Sequence, residues 1–117
     1  ECVMSGAVDN GDLYILTTTS NTTTVNYYTR FYYSDARIYK NGQLIHEITN
    51  IRNPRDLFVI GGDCYFLAVD MEDKTFGLWK NEDRIHEYGY SDEVKVFEDM
   101  EKDFYYIFQQ NLVFSLK

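Results

Sequence analysis

Two histidine–glutamate pairs are the first residues in this chain whose types could do chemistry. His46-Glu47 and His86-Glu87 stand forty positions apart. A metal site or an acid–base pair would need both histidines within reach of one ion or one proton. Neither opens a His-Glu-x-x-His helix, because Thr49-Asn50 follows the first and Gly89-Tyr90 the second. They read instead as equivalent polar positions on two separate strands. Carboxylates cluster at Asp70, Glu72 and Asp73, and again at Glu98, Asp99 and Glu101. Hard cations such as calcium take oxygen ligands, but no EF-hand spacing or turn glycine accompanies either cluster. Both read as solvated loops. Cys2 and Cys64 lack the close multi-ligand spacing of a zinc site and read as two separate thiols. A disulfide between them would require Cα atoms within about 7 Å. No nucleophile elbow, phosphate-binding glycine loop or dinucleotide fingerprint occurs. The expectation is a non-catalytic chain with no metal and no cofactor.

The segment with the strongest binding character is Val25 to Tyr33. Strand alternation puts Val25, Tyr27, Phe31 and Tyr33 on one face, and Tyr28, Arg30 and Tyr32 on the other. One sheet face packing on a core needs only one apolar side. Aromatics on both sides imply a second contact. Tyr and Arg bury area at low entropic cost and keep a polar handle, so they concentrate in binding surfaces. Tyr27, Tyr28, Arg30, Tyr32 and Tyr33 are the candidate ligand- or partner-binding residues, with a protein or a glycan as the ligand. The competing reading is an arm that packs only on its neighbouring strands.

The chain has 117 residues, 44% of them hydrophobic and 17% aromatic, which suffices for one domain with a modest core. Its net charge of −8 repels phosphate backbones, so nucleic acid is a poor partner. No apolar run approaches the roughly 20 residues that span a bilayer.

Repetition organises the rest. Lys40-Asn41-Gly42-Gln43-Leu44-Ile45-His46-Glu47 returns as Lys80-Asn81-Glu82-Asp83-Arg84-Ile85-His86-Glu87. Gly11-Asp12-Leu13-Tyr14-Ile15, Gly62-Asp63-Cys64-Tyr65-Phe66 and Lys102-Asp103-Phe104-Tyr105-Tyr106 are three versions of a second phrase. The first two versions lie 51 positions apart and the last two lie 40 apart, which places an insertion of 11 residues around Ser20–Ser34. Thr17–Thr24 reads as the tip of that hairpin. A period near forty built from short strands suggests propeller blades. The first unit carries strands at Cys2–Val8, Leu13–Thr19, up to Lys40, and Leu44–Thr49. The second carries strands at Asp56–Ile60, Cys64–Val69, Thr75–Lys80 and Arg84–Tyr88. Asn41-Gly42 predicts a type I′ hairpin turn, which needs positive φ at both positions. Trp79 aligns with Tyr39, and repetition argues that it packs between units. The third unit offers Val94–Phe97, Phe104–Phe108 and Leu112–Leu116, for eleven strands in all. The expected domain is 1–117, with units at about 1–50, 51–92 and 93–117.

The phrases Asp12-Leu13-Tyr14-Ile15, Ile38-Tyr39-Lys40-Asn41-Gly42, Ile60-Gly61-Gly62-Asp63-Cys64-Tyr65, Leu78-Trp79-Lys80-Asn81 and Asp103-Phe104-Tyr105-Tyr106 resemble those of multi-repeat extracellular β-propeller proteins of the Bacteroides type. Glu82 departs from the glycine expected at the second turn. The resemblance implies an all-β fold of four-stranded antiparallel blades, an extracellular, periplasmic or cell-envelope location, and a binding or scaffolding role. Three blades do not close a ring. The expectation is therefore self-association, or the remainder of a larger propeller. Two alternatives stand beside it: a carbohydrate-binding module using exposed tyrosines, and an accessory module of a larger enzyme.

Overall fold

The computed structural model describes residues 1–89, and for residues 25 and 30 the backbone alone. Seven strands run in chain order: β1 Cys2–Asp9, β2 Asp12–Val25, β3 Tyr28–Lys40, β4 Gln43–Ile60, β5 Asp63–Asp70, β6 Thr75–Lys80 and β7 Asp83–Gly89. Each pairs antiparallel with the next, giving one seven-stranded sheet in the order β1-β2-β3-β4-β5-β6-β7. Two-residue turns join most of them. Asn10-Gly11, Asn41-Gly42 and Gly61-Gly62 have positive φ at both positions, the geometry that a right-twisted hairpin requires.

This order overturns the propeller expected from the repeat. The sheet is continuous and open, not closed into blades, and the resemblance to the Bacteroides-type propellers fails on the same finding. So does the reading of the chain as a propeller-type scaffold. The cause lies at residues 50–56. Asn50, Asn53 and Pro54 fall between the strands expected at Leu44–Thr49 and Asp56–Ile60, yet the backbone continues as strand throughout β4. Asn50, Asn53 and Asp56 take positive φ; the ladder with β3 shifts register across Asn50, and the ladder with β5 across Asn53 and Asp56. Asn and Asp tolerate that region because their short polar side chains bond locally. The strand bends rather than stops. Its first part pairs with β3 and its second with β5, so the strands expected at Leu44–Thr49 and Asp56–Ile60 are one. The strands expected beyond residue 90 lie outside the described residues.

The bend brings the two halves of the sheet together. Leu57 N donates to Ser5 Oγ at 3.2 Å, and Gly62 N to Asp9 Oδ2 at 3.0 Å, so β1 lies against the second part of β4 without a ladder. Between the halves sits the main core, in which Tyr14, Leu16 and Ile38 from one half meet Cys64, Phe66 and Trp79 from the other. Trp79 is 4% exposed and stacks on Phe66, with ring centroids 5.8 Å apart. A second cluster, Tyr65, Leu67 and Leu78, packs on the opposite face of the second half with Phe58, Phe76 and Tyr88. Cys64 is buried in the main core, which pushes its thiol up to about 11, and both cysteines are free.

The repeated phrases have a structural meaning of their own. Asn41 N donates to Leu13 O, Asn41 Oδ1 accepts from Leu13 N, and Asn41 Nδ2 reaches Asp12 Oδ1 at 2.8 Å. Asn81 makes the same three bonds to Cys64 and Asp63. Lys40 faces Asp12 at 3.6 Å and Lys80 faces Asp63 at 3.8 Å. Each Lys-Asn turn thus clamps the start of the strand beyond its own hairpin. The pattern that suggested blades encodes this clamp, twice.

Candidate functional site

The insertion is an extension of the β2–β3 hairpin. Below it, the ladder is irregular between Thr17 and Thr19, where Thr18 is fully buried and its hydroxyl donates to the carbonyls of Ser34 and Asp35. Asp35 has φ 65° at the same level. Above this joint Thr19↔Ser34 through Val25↔Tyr28 pair as a two-stranded ribbon, about 20 Å long at the usual strand rise. The tip is Asn26-Tyr27, both at positive φ. Thr17–Thr24, expected at the tip, forms one rail of the ribbon instead.

The two rails differ in kind. Ser20-Asn21-Thr22-Thr23-Thr24 is small and polar, whereas Tyr27-Tyr28-Thr29-Arg30-Phe31-Tyr32-Tyr33 is aromatic. β-branched Thr favours the extended backbone without adding apolar bulk. Cross-strand partners share a face. Thr22 therefore lies beside Phe31, Ser20 beside Tyr33, and Asn21 beside Tyr32.

Tyr27 is 103% exposed, Tyr28 75% and Phe31 72%. Tyr32 and Tyr33, nearer the joint, are half-buried. The backbone register opposes Arg30 to Thr23. The five residues singled out from sequence thus share one rail but separate into an exposed tip, Tyr27 and Tyr28, and a base, Tyr32 and Tyr33.

At the base opens a cleft of about 460 Å³. Tyr32, Ser34 and Asp35 form its arm side, Asn50 and Arg52 its β4 side, and Lys74 with Met71 its far side. The β5–β6 loop is held there by Met71 N donating to Asn50 O at 3.0 Å. Asn50 N in turn donates to Asp35 Oδ1 at 3.2 Å. The Arg52 guanidinium lies over the Tyr32 ring, 4.6 Å from its centroid. Register explains the meeting: Ser34 opposes Arg52, so Tyr32 is its diagonal neighbour on the same face. Arg52 and Lys74 escaped the sequence reading, which had no signal to single them out.

Beyond Thr49–Ile51 lies a second cleft of about 350 Å³, lined by Glu47, Asp70, Glu72, Glu82 and Arg84. Its charges are organised internally. Arg84 Nη1 reaches Asp70 Oδ2 and Asp73 Oδ2, each at 2.9 Å. Asp73 also accepts from the Thr75 hydroxyl and, with Arg84 beside it, ionises below the ordinary carboxylate range. His46 does not meet His86. Its Nδ1 lies 3.1 Å from Glu82, while His86 packs edge-on against Tyr88 at 4.5 Å. No group of three or more His, Cys, Asp or Glu residues that could hold a metal occurs among the described residues. No helix among them is long and apolar enough to cross a membrane.

No family model, curated protein or solved structure matches this chain.

Proposed function

We propose that this chain is a non-catalytic carbohydrate-binding module, acting outside the cytoplasm, that presents the β2–β3 arm and the cleft at its base to a glycan. The exposure of Tyr27, Tyr28 and Phe31 carries the reading. These rings contribute nothing to the core, and holding large apolar side chains in water needs a reason when they cluster. A sugar ring offers a flat C–H face that packs on an aromatic face, and an edge of hydroxyls that needs donors and acceptors. The arm supplies both, with aromatic rings on one rail and Thr and Asn groups beside them on the other. The test is a glycan array probed with the wild-type chain and with Tyr28→Ala. Binding to a restricted set of glycans, lost in the variant while the melt is unchanged, is expected. An empty array contradicts the reading.

A second reading rests on a separate observation. Among the described residues the ladder with β1 ends at Thr18 and the ladder with β4 ends at Ser34, so both edges of the arm are unpaired. Open edges invite strand pairing. Pairing of arms between two copies would appear in light scattering as a concentration-dependent mass, abolished when the arm is shortened.

A further inference from the structure

The described Lys and Arg side chains divide sharply. Arg37, Lys40, Arg55, Lys80 and Arg84 each face a carboxylate at 2.9–3.9 Å. Arg52 and Lys74 face none among the described residues, and these two line the same cleft. In a chain of net charge −8, with 19 acidic residues to 11 basic, unpaired cations should be scarce. Two meeting at one opening is a pattern.

The neighbouring acids are turned elsewhere. Asp70 and Asp73, which flank the β5–β6 loop, are both held by Arg84 on the other side. The Asp73 carboxylate also caps Thr75 through its amide and hydroxyl. Lys74 follows Asp73 at φ 61°, exposed, and its ammonium lies 3.9 Å from Met71 Sδ. Among the described residues Asp35 is the one acid lining the cleft, and its Oδ1 accepts the Asn50 amide. Arg52 lies over the Tyr32 ring and faces no carboxylate among the described residues. A guanidinium held over an aromatic ring keeps N–H groups free to donate, and its planar fork suits bidentate contact with a carboxylate.

We propose that the cleft between the arm base and the β5–β6 loop binds the carboxylate of an acidic sugar, with Arg52 and Lys74 as its two cationic contacts and Tyr32 as the positioning residue for Arg52. This rests on the carbohydrate reading above and names the sugar class. Asn50 and Ser34 line the same cleft, where ring hydroxyls would fall. Tyr32 therefore differs in role from Tyr27 and Tyr28: it holds the guanidinium while the tip rings stack on the rest of the glycan.

The experiment is calorimetric titration at low salt with oligomers of galacturonate, glucuronate and mannuronate, with their methyl esters, with a sulfated disaccharide, and with sodium acetate alone. At least one uronate should bind roughly tenfold tighter than its ester, the scale of a charge-assisted bidentate contact at a partly open site. Arg52→Gln and Lys74→Gln should each remove most of that preference and leave the ester unchanged. Arg52→Lys and Tyr32→Leu should fall between, because charge or packing survives without the oriented fork. All three positions lie outside the main core, and an unaltered melt confirms the fold. Equal binding of acid and ester, insensitive to Arg52→Gln, overturns the anionic assignment and leaves the carbohydrate reading standing. Tighter binding of the sulfated disaccharide overturns the carboxylate. Acetate binding without any sugar binding overturns the carbohydrate reading, as does an array on which no neutral or acidic glycan is held.

Discussion

The β2–β3 and β5–β6 hairpins occupy the same place in the two halves of the sheet and share almost nothing at their ends. Both begin at a clamped aspartate, Asp12 or Asp63, and both return to a Lys-Asn turn. Between those points the second hairpin turns tightly through Met71–Lys74, whereas the first runs out through the aromatic arm. The frame is the same, so the frame does not need the arm. The short loop shows what closing this hairpin requires, and everything beyond it in the first half serves another purpose. The cleft lies between the two ends, with Tyr32 and Ser34 from the long one and Met71 and Lys74 from the short one.

The comparison is most exposed to failure in the core. Ile38 and Leu78 match in the sequence repeat but are buried in different clusters, Ile38 in the main core and Leu78 in the second, at 0% and 2% exposed. Ile38→Ala and Leu78→Ala should each cost about 2–5 kcal/mol in urea denaturation. Because β4 is shared, both losses should appear in one common transition. Two separate transitions would show that the halves fold independently.

A smaller effect sharpens a difference. Gly77 stands where the first half has Arg37. A Cβ there would meet Trp79 Cζ3 at 2.8 Å and Arg84 Cδ at 2.9 Å. Gly77→Ala should destabilise by about 1–3 kcal/mol through overpacking, measured in the same melts. A neutral result would mean that the Trp79 ring is not seated against the strand. In the first half Arg37 instead reaches Glu1, Glu47 and Thr19.

The two clamps should behave alike. Asn41→Ala and Asn81→Ala each remove side-chain bonds to the neighbouring strand and place alanine at positive φ. Each should cost about 1–2 kcal/mol. A loss at one and none at the other would break the equivalence of the halves.

The smallest effect is electrostatic and confined to the second half. The Thr75 hydroxyl and Arg84 hold the Asp73 carboxyl below its ordinary range. A depressed folded-state value stabilises above the unfolded value and is lost as pH falls through the folded one. Asp73→Asn should therefore lower the melting temperature slightly at pH 7, and the gap from wild type should close as pH falls below the carboxylate range. A gap that persists in acid would mean that Asp73 acts only through its shape.

How much of this was legible in the sequence follows from which contacts are local. Asn41-Gly42 and Gly61-Gly62 gave their turns because positive φ is a property of the residues themselves. The arm was legible from the 11 extra residues between the first two copies of the Asp-aromatic phrase, and its separation into tip and base was not. The bend of β4 was hidden, since Asn50, Asn53 and Pro54 break strands in most settings. Here bulges absorbed them and the ladder passed through. That one misreading turned a continuous sheet into separate blades. Arg52 and Lys74 were hidden for another reason. Sequence counts cations but does not say which have partners, and only the placing of Asp70 and Asp73 toward Arg84 sets these two apart.

The most direct test of the frame-and-arm account replaces residues 21–32 with Asn-Gly, giving the first hairpin a short end like the second. Glycan binding and thermal melting are then measured on the shortened chain beside the wild type. The account predicts a single cooperative melt close to that of the wild type and complete loss of glycan binding. A shortened chain that binds the same glycans with the same affinity, or that no longer folds, would contradict it.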